Sequence, residues 1–146
     1  MNNNIIDSGN LDNVLNNLDD EQLKNKIIYQ ALIKGAKCLQ DTTKQYFKQT
    51  MGDAANHVSK WTHKPFVENI VLKGDKAYTE VRVSIMKDFR LKFFEKGTNE
   101  RVTKKGYKRG KINGKWFFKD ARNNSVDQVN NIITETIDNG IKKILR

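Results

Sequence analysis

Apolar residues recur at helical spacing over residues 19–51, which predicts a long first helix. The spacing of three or four residues places side chains on one face of an α-helix. The predicted stripe consists of Leu23, Ile27, Ala31, Gly35, Leu39, Thr42 and Tyr46, with Ile28, Leu32 and Ala36 beside it. Asp19 and Gln22 stand three residues apart at the start, as in a capping box. Gly35 and Ala36 are small enough to let another backbone approach closely.

The pattern changes to alternation after the irregular segment 52–65, and alternation is typical of half-buried strands. Residues 66–73 and 77–85 form two such segments, with the turn signal Gly74-Asp75 between them. A third alternating segment, residues 89–97, follows after a short turn. We therefore expect three antiparallel strands joined by short turns, each with one buried face.

Helical spacing returns near the end of the chain and predicts a second long helix. Its apolar stripe consists of Ala121, Val126, Val129, Ile133, Ile137, Ile141 and Ile144, with Ile132 and Leu145 beside it. Two starting points fit the pattern. The helix begins either near Asp120 or at Ser125, which forms a capping box with Gln128.

Together these elements predict an α+β fold in a single domain, residues 1–146. An antiparallel sheet of three or four strands would pack against the long N-terminal helix and the C-terminal helix on the same face. Residues 1–10 are polar and are expected to form a flexible tail, and residues 11–18 fit a short helix.

The net charge of +10 is concentrated in one segment. Residues 87–122 hold 13 Lys and Arg against 4 Asp and Glu, a charge of +9, which leaves +1 for the other 110 residues. Within this segment, residues 96–115 contain four Gly and little aliphatic material, so a stable helix is excluded. We expect an extended basic loop or a loose hairpin that contacts a partner. Its candidate contact residues are Arg101, Lys104, Lys105, Lys108, Arg109, Lys111 and Lys115.

The chain lacks the residue sets that catalysis or cofactor binding would need. His57 and His63 have no third ligand at metal-site spacing, and we interpret them as solvated loop residues. Cys38 lies beside the apolar stripe without an activating neighbour and is interpreted as a small core residue. Glu95 and Glu100 stand among Lys and Arg, which favours their ionised form and ion pairing. The glycines match no phosphate-binding motif. We expect no catalytic residue, metal, cofactor or small-molecule substrate, and no enzyme.

The N-terminal sequence MNNNIIDSGN has no positively charged, then apolar, signal-peptide pattern. No apolar run approaches the roughly 20 residues of a membrane span. We expect a protein that stays in a cytoplasm-like compartment and does not contact a membrane.

Two functions remain open for the basic segment. Its cations, with Tyr107, Trp116 and Phe117, are compatible with a groove that follows a nucleic-acid backbone and stacks bases on aromatic rings. Alternatively, the pairs Phe93-Phe94 and Phe117-Phe118 anchor the two ends of the segment in the core, because each pair stands where the segment joins a regular element.

The segment FFEKGTNERVTKKGYKRGKINGKWFFKDA, residues 93–121, resembles the signature of head–tail connector proteins of long-tailed bacteriophages and prophages, also called neck or tail-completion proteins. That family carries an aromatic-Glu-x-Gly-Thr turn ending a strand, a variable and often basic stretch, and an aromatic-Phe-x-x-Ala opening the C-terminal helix. The matching residues are Phe94, Glu95, Gly97, Thr98, Phe117, Phe118 and Ala121. The likeness extends loosely over most of the chain, but residues 52–70 lack the family's Pro-x-x-Thr-Gly-x-Leu segment.

The resemblance implies a structural virion protein, assembled in the host cytoplasm as a ring at the neck between head and tail. Its partners would be further copies of itself and the phage proteins on the portal or adaptor side and on the tail side. The basic loop would dock such a partner or lie beside DNA in the lumen. A free-standing nucleic-acid-binding protein that uses the same loop is the alternative.

Overall fold

The structure is a computed structural model that describes residues 21–75 and 80–144. Three α-helices, two 3-10 helices and four strands lie within these residues. Their order is α1 (Glu21–Met51), the 3-10 helices Gly52–Asn56 and Phe66–Asn69, β1 (Val71–Gly74), β2 (Val81–Ser84), α2 (Arg90–Lys96), β3 (Arg101–Val102), β4 (Lys108–Gly110) and α3 (Phe117–Ile144). The α+β class is confirmed. The expected Asp19 cap, the tail and short helix within residues 1–18, residues 77–79 of the second strand, and Leu145 lie outside the described residues.

Helices α1 and α3 run antiparallel and pack closely because glycines lie between them. Gly35 of α1 faces Ile133, and Gly140 of α3 faces Ile27. A Cβ added to Gly35 would lie 2.7 Å from Cγ1 of Ile133, and one added to Gly140 would lie 2.9 Å from Cγ2 of Ile27. Carbon atoms attract best at roughly 3.5–4.0 Å, so both contacts require the small residue. The close contact at Gly35 is therefore with the side chain of Ile133, where the sequence had suggested the approach of another backbone.

The buried face of α1 follows the predicted stripe in its first half and then shifts by one residue. Ile27, Ala31 and Gly35 are buried as expected, but the second half buries Gln40, Thr43 and Phe47 in place of Leu39, Thr42 and Tyr46. At about 100° per residue, Gln40, Thr43 and Phe47 lie on a different side of the helix from Ile27, Ala31 and Gly35. The second half of α1 turns this side towards the core, where Gln40 bonds to the oxygen of Ile70 and Phe47 packs on Phe117.

The main core lies where the C-terminal end of α1 meets the N-terminal end of α3. Phe47 and Phe117 are fully buried, with their ring centroids 4.8 Å apart. Phe94 and Phe66 extend the aromatic cluster, and their centroids are 5.7 Å apart in an edge-to-face arrangement. Such aromatic pairs add stability beyond the burial of their apolar area.

The predicted three-stranded sheet is not found within the described residues. β1 and β2 form one antiparallel pair, with Val71 opposite Ser84, and β3 and β4 form another. Residues 66–69 are a 3-10 helix rather than the start of a strand. α1 packs against β1 and β2, whereas α3 packs mainly on α1, so the expected packing of both helices on one sheet face is not confirmed.

The third predicted strand, residues 89–97, is wrong, because this segment forms the helix α2. Leu91 and Glu95, four residues apart, are buried on one face, while Phe89 and Phe93 are exposed on another. In so short a segment the same apolar residues fit both the two-residue repeat of a strand and the repeat of a helix, so periodicity cannot distinguish a strand from a helix here.

A buried polar cluster fixes the irregular segment 52–65 to the start of α2. The carboxylate of Asp88, which has no exposed side-chain surface, accepts a short hydrogen bond from the hydroxyl of Ser59. It also accepts bonds from Nε and Nη2 of Arg90 at 3.1 and 2.9 Å. Nη2 of Arg90 donates to Oγ of Ser59 at 2.7 Å. The guanidinium lies 4.7 Å from the ring centroid of Phe66, which adds a cation–π contact.

We expect Phe47→Ala to lower the free energy of unfolding by about 3–5 kcal/mol, because it removes a fully buried ring and leaves a cavity. Lys48→Ala is the matched control, since Lys48 is exposed on the next position of α1 and should change stability by less than about 0.5 kcal/mol. Urea unfolding of the two variants measures the difference. Equal effects would contradict the placement of the core.

Asp88 should make stability depend on pH in the acid range. Burial raises its pKa, but hydrogen bonds from Arg90 and Ser59 and the charge of Arg90 outweigh burial, so the pKa lies below 3.8. A lowered pKa in the folded state contributes stability that is complete above the unfolded pKa and is lost as the pH falls through the folded one. We expect Asp88→Asn to be less stable than the parent near neutral pH and to lose less stability between about pH 5 and about pH 2.5.

The control for this measurement is Glu80→Gln, which removes a carboxylate from an exposed pair with Arg82. This variant should keep the pH dependence of the parent in urea unfolding at each pH. If Asp88→Asn shows the same slope as the parent, the assignment of the acid sensitivity to Asp88 is wrong.

Candidate functional site

Residues 97–115 form a hairpin, here called the basic hairpin, in which β3 and β4 pair antiparallel. At its tip the N–H of Gly106 donates to the oxygen of Thr103 at 2.9 Å, and the N–H of Thr103 donates to the oxygen of Tyr107 at 2.8 Å. Gly106 has φ +86°, a left-handed conformation that favours glycine. Residues 104–106 therefore form a three-residue hairpin loop that ends in a left-handed glycine, one of the common hairpin connections. Of the two forms expected for this segment, an extended loop or a loose hairpin, the structure has a hairpin.

The basic hairpin exposes nearly all of its side chains. Every residue of β3 and β4 is exposed, and Tyr107 at the tip is 70% exposed. The seven predicted contact residues are all exposed: Arg101, Lys104, Lys105, Lys108, Arg109, Lys111 and Lys115. Only one acid, Glu100, stands among them, and its oxygen lies 3.5 Å from Nζ of Lys108. Such an exposed pair neutralises little, so the hairpin presents a positive surface.

The root of the hairpin is the place where residues 94–98 meet residues 112–118, and it is organised by Glu95, which caps α3. Glu95 is only 4% exposed. Its Oε2 accepts the N–H of Phe118 at 2.7 Å, and its Oε1 accepts the N–H of Lys119 at 2.9 Å. The first N–H groups of a helix have no partner within the helix, and a carboxylate there also interacts favourably with the helix dipole. This cap starts α3 at Phe117, before both positions that the sequence favoured. The expectation that Glu95 pairs with cations is wrong.

Glycine and threonine side by side hold the two legs of the hairpin together. The N–H of Thr98 donates to the oxygen of Ile112, and Oγ1 of Thr98 accepts the N–H of Ile112, both at 2.9 Å. Gly97 has φ +77°, and a Cβ there would lie 2.6 Å from the oxygen of Ile112. A Cβ on Gly114 would lie 2.8 Å from the carbonyl carbon of Lys96. The two legs approach so closely that neither glycine can be replaced without moving the backbone.

The aromatic residues at the two ends of the segment differ in their placement. Phe117 is fully buried, and Phe94 and Phe118 are half-buried, so these three anchor the root as expected. Ala121 is also fully buried one turn into α3. Phe93 is 37% exposed, and its expected role as a core anchor is wrong. Neighbouring residues in a helix point about 100° apart, so Phe93 turns outward when Phe94 turns inward.

The seven residues that carry the family resemblance are thus brought together at one place. They bury the root, cap α3 and close the base of the hairpin, while the predicted contact residues project from it. Sequence reasoning missed the capping role of Glu95, because a cap is normally recognised by a partner three residues away. Here 22 positions separate Glu95 from the start of α3.

Two of the three proposed base-stacking aromatics are accessible. Tyr107 lies at the tip, and Trp116, which is 44% exposed, lies at the root with Nζ of Lys119 5.3 Å from its ring centroid. Phe117 is buried and cannot stack on a base.

No arrangement suited to metal binding is found in residues 21–75 and 80–144, where no three His, Cys, Asp or Glu residues cluster. His57 and His63 are exposed, as expected, and Cys38 is half-buried. Among the helices that the structure describes, none is both long and apolar enough to cross a membrane.

No protein-family model matches the chain, and no curated protein or solved structure matches it. The likeness to head–tail connector proteins therefore rests on the motif residues.

We expect Glu95→Ala to cost about 1.5–3 kcal/mol of unfolding free energy, because it leaves two backbone donors at the start of α3 without their charged acceptor. Glu95→Gln should cost less, since one acceptor oxygen remains. Amide hydrogen exchange at Phe118 and Lys119 should accelerate in both variants.

The matched control is Glu100→Gln, because Glu100 is exposed and makes only the long contact with Lys108. It should leave stability and exchange at the start of α3 unchanged. A Glu95→Ala variant that unfolds like this control would refute the cap.

Proposed function

We propose that this protein is a structural assembly subunit that docks neighbouring proteins through its basic hairpin, and that it serves as a head–tail connector of a long-tailed phage or prophage. The observation that carries the proposal is the combination of a tightly built root with a hairpin that buries almost nothing. A domain that fixes the direction of an exposed positive hairpin is suited to insertion into a partner.

Energetic considerations support a docking role for the hairpin. Its strands are only two and three residues long and consist of exposed residues, and an isolated two-stranded hairpin is at best marginally stable in water. The root supplies orientation, but the exposed arm itself gains no burial. A partner surface would provide that burial and the negative charge that the exposed cations lack.

The position of the family motif also supports the connector assignment. Residues that a connector-like sequence shares are expected to be those that maintain its architecture, while the basic stretch between them varies with the partner. Here Glu95, Gly97 and Thr98 build the root, and the exposed cations lie between the two halves of the motif. The structure departs from the family motif in one respect: the first half of the motif ends the helix α2, whereas the family motif ends a strand.

As a connector subunit, the protein would form a ring by repeating one heterologous contact between copies, which closes if the rotation allows it. The basic hairpin would insert into the next copy, or into an acidic surface on the portal, adaptor or tail side. Where it faced the lumen, it would attract passing DNA through phosphate charge without reading sequence. Assembly would take place in the bacterial cytoplasm, and the ring would remain in the virion.

Nucleic-acid binding by the isolated protein is the second candidate. The exposed ring of Tyr107 beside Lys104, Lys105 and Lys108 at the hairpin tip favours it, because aromatic rings flanked by cations bind single-stranded nucleic acids. Binding of that kind weakens strongly as salt increases.

The decisive variant changes four cations at the tip of the hairpin to Ala together: Lys104, Lys105, Lys108 and Arg109. We expect it to fold normally, since all four are exposed, but to lose assembly because the docking charge is gone. Sedimentation velocity and electron microscopy of the protein, alone and with the proteins encoded by adjacent genes, measure assembly. The matched control removes the same charge from exposed lysines elsewhere: Lys26, Lys34, Lys48 and Lys60.

A four-fold hairpin variant that assembles like the parent would overturn the docking proposal. A parent protein that stays monomeric with those partners, yet retards labelled DNA at physiological salt, would favour the second candidate. Portal, adaptor and tail-tube genes beside this one would support the connector assignment.

A further inference from the structure

A second surface, separate from the exposed part of the basic hairpin, lies along the outer edge of β2. A cleft of about 430 Å³, here called the β2 groove, separates residues 82–86 from the helices α2 and α3. Lys92 and Lys96 of α2 form part of its far wall. Trp116 lies at the start of α3, next to Phe118 and Lys119, which complete that wall.

The groove runs along the edge of a strand rather than across one face of it. Successive side chains of a strand point to opposite faces, yet three consecutive residues of β2, 82–84, line the groove, followed by residues 85 and 86 of the turn after the strand. We infer that the cleft lies along the edge of β2, because residues on both faces of the strand border it. Among the described residues, β2 pairs with β1 alone, so this edge has no strand beside it there.

The register of the pair indicates which backbone groups face outward. The N–H of Asp75 donates to the oxygen of Glu80 at 3.1 Å, so this pair of residues is hydrogen-bonded. Bonded and non-bonded pairs alternate along an antiparallel ladder. Arg82 and Ser84 therefore bond to β1, and Val81 and Val83 turn their N–H and C=O groups away from it. An added strand would need those donors and acceptors.

The floor of the groove is apolar. Val83, Ile85 and Phe118 are half-buried and pack against the core. Met86 is 54% exposed and Trp116 is 44% exposed at its ends. Apolar side chains on one face of a bound strand would cover these residues.

The rim of the groove is strongly positive. Five exposed cations line it: Arg82, Lys92, Lys96, Lys119 and Arg122. Among the described residues that line the groove, Glu95 is the one acid, and both of its carboxylate oxygens accept N–H groups of α3. Arg82 also pairs with Glu80 at 3.0 Å, so the positive charge of the rim comes mainly from the other four cations, and this charge favours a negatively charged molecule in the groove.

We propose that the β2 groove binds an extended acidic segment of another protein, which adds to β2 as a third strand. Backbone hydrogen bonds to Val81 and Val83 supply affinity, and alternate carboxylate and apolar side chains supply specificity. Nucleic acid fits the rim but offers no alternating N–H and C=O groups for a strand edge. Two copies pairing β2 with β2 would bring like charges together, because each groove carries Lys92, Lys96, Lys119 and Arg122 on its rim. This proposal does not depend on the function of the hairpin.

The test is a titration of the isotope-labelled full chain with the peptide acetyl-Glu-Val-Glu-Val-Glu-Val-Glu-amide, followed by NMR. The expected result is a saturable shift of the backbone amides of residues 81–86 and of the Trp116 indole N–H. Two control peptides separate the contribution of charge from that of backbone hydrogen bonds. The same pattern with Lys in place of Glu should not saturate these signals, and N-methylation of the central Val should weaken binding at least tenfold by removing one donor.

Variants then locate the site. Lys92→Glu with Lys119→Glu should abolish the shifts, whereas Lys104→Glu with Lys108→Glu, a matched charge reversal on the basic hairpin, should leave them intact. The four-fold hairpin variant should also bind the peptide normally, so failure of the docking function and failure of this proposal are distinguishable.

Several outcomes would overturn the proposal. Absence of saturable shifts, shifts confined to residues 101–110, or equal binding of the N-methylated peptide would each exclude strand addition. Displacement of the peptide by a short double-stranded DNA that shifts the same amides would assign the groove to nucleic acid. Tighter binding of a peptide of residues 1–20 would assign the groove to the N-terminal segment of this protein instead.

Discussion

The carboxylate of Glu95 is the contact on which the arrangement of the second half of the chain depends. It joins the end of α2 to the start of α3, and beside it the backbone oxygens of Phe94 and Glu95 accept the N–H groups of Lys115 and Trp116. Since both ends of the intervening segment are fixed at one point, that segment must leave the surface and return to it. A polar, glycine-rich segment whose two ends are held together in this way forms a hairpin. A helix cap thus also positions a candidate interaction arm.

The sequence predicted the features that depend on local or repeated patterns. The two long helices, the close contact at Gly35 and the concentration of charge in one segment all follow from spacing and composition. The structure of short segments could not be predicted in this way, because the seven residues of α2 fit the repeat of a strand and the repeat of a helix equally well. The role of Glu95 could not be predicted either, since the donors that it satisfies belong to residues far along the chain. Of the predicted site, the list of exposed cations could be obtained from sequence, while the geometry of the root could not.

Buried polar contacts explain why the irregular segments nonetheless have a defined course. The amide of Gln40 donates to the oxygen of Ile70 at 2.9 Å and thereby joins α1 to β1. The cluster of Ser59, Asp88 and Arg90 does the same for residues 52–65 and α2. Each polar group is buried with a partner, and removal of one partner would leave the other desolvated and unsatisfied. Neither contact is visible as a pattern, because its members lie about thirty positions apart.

The basic hairpin and the β2 groove differ in the forces by which they can bind a partner. This difference affects the order in which the two surfaces would contact it. The hairpin offers exposed charge and almost no apolar area, so its attraction acts over distance and is screened within about 8–10 Å at physiological salt. The β2 groove combines charge with an apolar floor and a strand edge that no other described strand pairs with. The contributions of the floor and the edge act only at contact and are far less sensitive to salt. Under the proposals above, the hairpin would accelerate encounter with an acidic partner. The groove would then slow its dissociation. Because both surfaces adjoin the root at Glu95, a partner of suitable length could occupy the two together, and each contact would raise the effective concentration for the other.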